Sequence, residues 1–159
     1  SRISLEGNDE GYALDADFQI ELNPRLEDAI DKGVALYFEV EFELTRKRWY
    51  WFDRRVASST LTYRLSYSPL TRQYRLARGG LSQAFESLDE ALGLLKCVRN
   101  WRVADKGLLS PREKYDAQVR MRLDVTQLPK PFQVNAITSR EWTLASDWRE
   151  VPVSAELLR

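Results

Sequence analysis

Apolar residues occupy every even position of residues 34–44, and this period of two constrains the fold more than any other feature of the sequence. Glutamates stand at three of the positions between them: Glu39, Glu41 and Glu43. Successive side chains of a β-strand point to opposite faces, so the segment predicts a strand with one buried and one wet face. Such a strand needs a second layer over its apolar face.

The same period recurs along most of the chain. It is clear in residues 12–22, 57–67 and 114–125, and shorter versions occur in residues 81–85, 101–105 and 141–148. The sequence therefore predicts six to eight mostly antiparallel strands.

Two short segments carry helix signals instead. In the first, Asn23 suits the N-cap, Pro24 the first helical position and Gly33 the left-handed residue after the last turn. In the second, Ser87 and Glu90 have the spacing of a capping box.

Two short helices cannot cover the apolar faces of all these strands. We therefore predict a mainly β fold, an antiparallel β-sandwich with immunoglobulin-like or Greek-key connections and two short helices. The alternative is an α+β fold in which a single curved antiparallel sheet carries both helices on one face. Residues 1–153 are predicted to form one domain, with residues 154–159 as a C-terminal tail.

The two longest alternating segments are predicted to pair as a long hairpin. Their apolar faces coincide if Leu44 lies opposite Leu61 and the chain reverses through residues 51–54. That register would place Glu41 beside Arg64, as an ion pair across the strands.

The composition excludes several kinds of active site. The chain has no histidine and a single cysteine, Cys97, so neither a Ser-His-Asp nor a Cys-His site can form. An intrachain disulfide is equally impossible. We expect no metal and no cofactor, since the commonest zinc and copper ligand is missing.

The net charge of zero conceals a strong asymmetry. Residues 1–45 hold three basic and twelve acidic side chains, whereas residues 46–78 hold nine basic side chains and one acidic side chain. Neighbouring strands of opposite charge are expected to neutralise each other. A nucleic-acid-binding domain carries a basic surplus overall, so we expect no nucleic-acid partner.

Residues 45–56, which we call the basic–aromatic tip, contain five basic side chains and four aromatic rings. At the end of the predicted hairpin they could grip an anionic surface, with guanidinium groups on phosphate or carboxylate and tryptophans as interfacial anchors. The alternative is an ordinary solvated hairpin end. The predicted binding residues are Arg46, Lys47, Arg48, Trp49, Trp51, Arg54 and Arg55.

Other clusters favour plain structural roles. Glu39, Glu41 and Glu43 share one strand face and could act as an acid–base pair or hold calcium, but glutamates on a wet face normally pair with basic neighbours. Cys97 is predicted near the end of the second helix, away from the helix start that favours a thiolate, and therefore as a buried structural thiol.

Four motifs resemble an uncharacterised proteobacterial family, domain of unknown function family 4390, over about residues 1–153. They are "LEDAIDKGVALYFEVEFEL", "RWYWFD", "LTYRLSYSPLTRQYRL" and "FESLDEALGLLK". The resemblance implies a periplasmic protein, or one anchored to the membrane with an extracytoplasmic domain, whose hydrophobic N-terminal segment precedes the present sequence. It also implies a gene next to a sensor histidine kinase, and it brings no catalytic residue.

We therefore expect a non-enzymatic extracytoplasmic binding module, whose partner is a protein such as the sensor kinase or an anionic membrane surface. The alternative is a carrier that binds a small hydrophobic ligand between its sheets. The ligand would then contact Phe38, Phe42, Tyr63 or Trp142.

Overall fold

The computed structural model describes residues 2–46, 54–110, 112–130 and 148–153, and for Arg54 and Arg55 the backbone alone. Within these ranges there are nine strands, two α-helices and one short 3-10 turn. They are, in chain order, β1 (Ile3–Gly7), β2 (Gly11–Asp17), α1 (Pro24–Asp31), β3 (Leu36–Arg46), β4 (Arg54–Ser68), β5 (Gln73–Arg78), β6 (Leu81–Phe85), α2 (Leu88–Leu95), β7 (Cys97–Asp105), β8 (Tyr115–Leu123), the turn Val125–Gln127 and β9 (Arg149–Val151).

The strands form two antiparallel sheets, so the predicted mainly β, two-layer arrangement with two short helices is confirmed. The smaller sheet has the order β1-β2-β7 and the larger the order β6-β5-β4-β3-β8-β9. Strands β3 to β6 follow one another as a meander, and β8 pairs with the other side of β3. A single curved sheet does not form, because β1, β2 and β7 pair with one another instead of extending the larger sheet.

Aromatic and aliphatic side chains fill the space between the sheets. Phe42 of β3 and Trp101 of β7 meet edge to face, with ring centroids 6.4 Å apart, a favourable aromatic geometry. Ser59 of β4 donates a hydrogen bond to the carbonyl oxygen of Val103 at 2.9 Å. These contacts join the large sheet to β7.

Helix α1 begins as the sequence predicts. The Asn23 side chain accepts a hydrogen bond from the Leu26 amide at 2.9 Å, and Gly33 has a φ of +97° just beyond the helix. Leu26, Ala29 and Ile30 are buried, so the helix covers part of the core with one face.

Helix α2 is capped by Ser87, whose hydroxyl accepts from the Glu90 amide at 3.2 Å. The prediction for Cys97 is wrong in two respects. Cys97 is the first residue of β7, where it pairs with Asp17, and it is half-buried. The helix ends at Leu95, and the chain then enters the small sheet.

The predicted register of the long hairpin is also wrong. Leu44 faces Ala57 instead of Leu61, and Glu41 faces Thr60 instead of Arg64. The observed register differs from the predicted one by four residues. An even shift leaves the same side chains on the buried face, so alternation alone could not distinguish the two.

Other differences concern strand ends. Strand β1 was not predicted, and β2 ends at Asp17 although Phe18, Ile20 and Leu22 remain buried beyond it. The predicted strand of residues 141–148 lies almost entirely outside the described residues, as does the predicted tail.

Candidate functional site

The structure locates only part of the basic–aromatic tip. Arg46 ends β3 and faces Arg54 across the hairpin, while Thr45 faces Arg55. Lys47, Arg48, Trp49 and Trp51 lie outside the described residues, as do the side chains of Arg54 and Arg55. Arg54, predicted to lie in the turn of residues 51–54, is instead the first residue of β4.

The wet face of β3 carries an ion-pair ladder with β8, which we call the Glu–Arg ladder. Arg120 donates from Nε to Glu41 at 2.6 Å. Arg122 donates to Glu41 at 2.9 Å and to Glu39 at 2.7 Å. Gln118 continues the ladder with a 3.1 Å hydrogen bond to Glu43. The acidic strand is thus neutralised by β8, and not by β4 as the predicted register required.

The carboxyl groups of the Glu–Arg ladder respond differently to their surroundings. Partial burial favours the neutral form of Glu41, but hydrogen bonds from Arg120 and Arg122 outweigh it and lower its pKa. For Glu39, burial together with the nearby Asp124 carboxylate outweighs the attraction of Arg122 and raises the pKa. Both carboxylates are already held by guanidinium groups on an open sheet face, which is the arrangement of a structural network.

Arg120 is held from a second side as well. Its guanidinium carbon lies 4.4 Å from the centre of the Trp148 ring, within the range of a cation–π contact. Trp148 therefore anchors the start of β9 against the Glu–Arg ladder.

An open groove of about 500 Å³ lies where the two sheets part, beside β6, and we call it the edge groove. Its walls come from β4, β5, β6, β7 and the end of α2. The residues that line it are Tyr63, Leu76, Arg78, Leu81, Ser82, Gln83, Leu94, Cys97 and Arg99.

The two arginines of the edge groove are in different electrostatic situations. Arg99 forms an ion pair with Asp17 at 2.6 Å, and the hydrogen bond from Arg99 lowers the pKa of Asp17. Arg78 donates to the Arg99 carbonyl oxygen at 3.2 Å and lies 5.9 Å from the Tyr63 ring centre. No carboxylate among the described residues lies within ion-pair distance of Arg78.

The residues predicted to surround a ligand between the sheets are mostly core residues. Phe38 and Phe42 are fully buried, while Tyr63 reaches the edge groove and burial raises the pKa of its hydroxyl. Trp142 lies outside the described residues. Of these four residues, only Tyr63 is placed by the structure at a groove, and that groove lies at the edge of the sandwich.

The sequence does not reveal the edge groove, because its walls come from five consecutive elements whose packing against one another is not fixed by any local pattern. The one local signal is the strand of residues 81–85, which carries no charge although it is exposed.

A second pocket of about 500 Å³ lies between β3, β8 and β9 and is lined by Glu43, Asp116 and Glu150 among others.

In the described part of the chain, no group of three or more potential ligands is placed to hold a metal ion. No helix in that part is long and apolar enough to cross a membrane.

The comparison with protein families gives a match over nearly the whole chain. The matching family is described as "Domain of unknown function (DUF4390)", and the match covers residues 1–152. No curated protein and no solved structure gives a significant match.

Proposed function

The chain belongs to the DUF4390 family, and on that premise we propose that it is a non-enzymatic, extracytoplasmic binding module. The basic–aromatic tip is its contact surface and an anionic membrane is its favoured partner. The extracytoplasmic part of a sensor histidine kinase is the second candidate partner. The periplasmic or membrane-anchored location is part of the proposal, and the family resemblance described above supports it.

The observation that supports the proposal is the pairing of the β3 glutamates with arginines of β8. Glu39 and Glu41 are bound by Arg120 and Arg122 of β8, so they are not available to the basic residues at the end of the hairpin. Arg64, which the sequence paired with Glu41, hydrogen-bonds to the Tyr37 hydroxyl at 3.2 Å instead. Glu39 and Glu41 therefore pair with β8 and not with the basic segment that follows β3 in the chain.

The composition of the basic–aromatic tip favours a membrane surface. Arginine and lysine near anionic headgroups contribute about 1 kcal/mol each, and tryptophan rings prefer the membrane–water interface. Residues 46–55 contain five basic residues, two tryptophans and one aspartate. Several such contacts together suffice for reversible binding.

Vesicle sedimentation tests the proposal. We compare phosphatidylcholine vesicles with vesicles that also contain phosphatidylglycerol, using the protein and a triple variant, Arg46→Ser, Arg48→Ser and Arg54→Ser. We expect binding to the anionic vesicles alone, its loss in the triple variant, and an unchanged Tm.

A matched control removes three exposed arginines elsewhere, Arg72→Ser, Arg75→Ser and Arg112→Ser. It carries the same net charge as the triple variant and should keep most of the binding. Equal binding by both variants would show that net charge, and not the tip, attracts the membrane. Binding to the kinase ectodomain without vesicle binding would transfer the proposal to the protein partner.

The carrier of a small hydrophobic ligand is a second proposal, favoured by the apolar lining of the edge groove. Titration with palmitate should then quench tryptophan fluorescence, because Trp101 lies in β7, which forms one wall. A variant with Leu94→Glu at the groove should abolish the response.

A further inference from the structure

Strand β6 is an edge strand without the usual protection. It is the outermost strand at one end of the large sheet and pairs only with β5 among the described elements. Natural edge strands commonly carry charged residues or proline, which block pairing with another chain. The five residues of β6 are Leu-Ser-Gln-Ala-Phe, which include neither. Among the residues that the structure describes, no strand pairs with the outer backbone groups of β6.

The edge groove lies directly beside this strand. Leu81 of β6 is 79% exposed and Leu94 of α2 is 42% exposed, and both line the groove. Exposed apolar side chains next to an open strand edge are a recurring basis of peptide recognition, in which backbone hydrogen bonds give affinity and pockets for alternate side chains give specificity.

The charges beside β6 are mixed: arginines lie on the side of β5, whereas Glu86 directly follows β6 and Asp89 and Glu90 stand in the first turn of α2. Arg75 and Arg78 lie on β5, one strand inward, and Arg72 lies in the turn before it. Among the residues that the structure describes, no carboxylate is within ion-pair distance of these three arginines. A strand added at β6 would lie two strand spacings from β5, roughly 10 Å away, which is within the range over which Arg75 can attract acidic side chains.

We propose that β6 accepts an extended segment of a partner protein as an additional strand, and that this segment alternates apolar with acidic residues. Its apolar side chains lie over the edge groove beside Leu81 and Leu94. Its acidic side chains lie on the opposite face, the face of β5 on which Arg75 stands.

Two other occupants fit less well. A second copy of the chain would add its own β6, which carries no acidic side chain to pair with Arg75. A fatty acid could fill the edge groove but would make no use of the outer backbone groups of β6. The proposal concerns a surface separate from the basic–aromatic tip, and either can fail without the other.

The probe is a blocked eight-residue peptide of alternating glutamate and valine, titrated into the protein of 159 residues and followed by amide NMR shifts. A second peptide has the same side chains but N-methyl groups on alternate residues of the edge that faces β6, so it cannot complete the strand pairing. A third peptide has lysine in place of glutamate. We expect shifts in residues 81–85 with the first peptide, and binding at least about tenfold weaker with the other two.

The variant Leu81→Glu tests the same site from the protein side, with Leu70→Glu as its matched control. Leu70 is 97% exposed and lies in the turn before β5, away from the edge groove. Leu81→Glu should weaken peptide binding by about tenfold or more, whereas Leu70→Glu should leave it unchanged, and both variants should keep the Tm.

The results that would overturn the proposal are specific. Two concern the first peptide: the N-methylated peptide binds equally well, or palmitate displaces the first peptide and no shifts appear in β6. The other two are that no peptide binds at all, or that light scattering shows a dimer which Leu81→Glu dissociates. The first two assign the edge groove to a small ligand, and the last assigns β6 to self-association.

Discussion

Arg120 donates a hydrogen bond from its Nε to Glu41 at 2.6 Å while its guanidinium lies against the Trp148 ring. This single contact joins three strands, since Arg120 is on β8, Glu41 is on β3 and Trp148 precedes β9. Charge-assisted hydrogen bonds are about twice as strong as neutral ones, and here both partners are half-buried. The Glu–Arg ladder therefore stabilises the centre of the large sheet.

Replacing Glu41 by glutamine should destabilise the fold markedly. The change removes the charge that holds both Arg120 and Arg122 while keeping the size of the side chain. We expect a loss of about 2 kcal/mol in the free energy of unfolding, measured by urea denaturation. Glu113→Gln, at an exposed loop position, is the control and should change stability by less than about 0.5 kcal/mol.

The same carboxylate should make stability depend on acid pH. The pKa of Glu41 is lowered in the folded protein, so its stabilising contribution is present above the unfolded value of 4.5 and is lost as the pH falls through the folded pKa. Urea denaturation at several pH values should show a smaller acid loss in Glu41→Gln than in the parent protein. An identical pH profile would mean that the carboxylate is not held in its charged form by the Glu–Arg ladder.

The features that could be predicted from the sequence are those that depend on residues close together in the chain. The faces of β3 and β8 follow from alternation, since a period of two assigns each side chain to one face. The start of α1 follows from Asn23, and that of α2 from Ser87, because a capping side chain bonds to an amide only three residues away.

The features that could not be predicted depend on how separate parts of the chain pack against one another. Alternation allows every even shift of β4 along β3, so the position of Leu44 opposite Ala57 depends on the whole sheet. The arginines that neutralise Glu41 lie 79 and 81 residues away in the chain. The edge groove is formed by the consecutive elements from β4 to β7, and its shape depends on how they pack against one another. The predicted tip residues from Lys47 to Trp51 remain predictions, since the structure does not describe them.

Tyr74 provides a reporter of the contact between α1 and β5. Its hydroxyl donates to Asp31 at 2.7 Å, and this hydrogen bond, with burial, raises the pKa of Tyr74 to about 12. The hydrogen bond contributes fully to stability when the pH is below the ordinary tyrosine pKa of 10.0. That contribution is lost as the pH rises through about 12, the pKa of Tyr74 in the folded protein. NMR titration of labelled tyrosine rings, assigned with Tyr74→Phe, measures it directly.

Asp31→Asn should return the pKa of Tyr74 toward 10.0, since the first cause of the shift is the bond to the Asp31 carboxylate. Asp28→Asn is the matched control, because Asp28 lies on the same helix but pairs with Lys32. A Tyr74 titration unchanged by Asp31→Asn would show that the helix does not contact β5 through this bond.

The register of the long hairpin can be tested by cross-linking on its exposed face. Glu43 lies directly opposite Ser58 in the structure, whereas the register predicted from the sequence would place it opposite Thr62. Opposite residues have Cα atoms about 4.5–5.5 Å apart, within the range of a disulfide, and a shift of four residues separates them by roughly 13 Å.

In a Cys97→Ser background, the double variant Glu43→Cys and Ser58→Cys should therefore oxidise to an intramolecular disulfide. The pair Glu43→Cys and Thr62→Cys should remain reduced under the same conditions. Mass spectrometry of peptides digested without reductant identifies the linked pair. A disulfide in the second double variant and none in the first would restore the sequence-based register and, with it, the ion pair between Glu41 and Arg64 that the Glu–Arg ladder replaces.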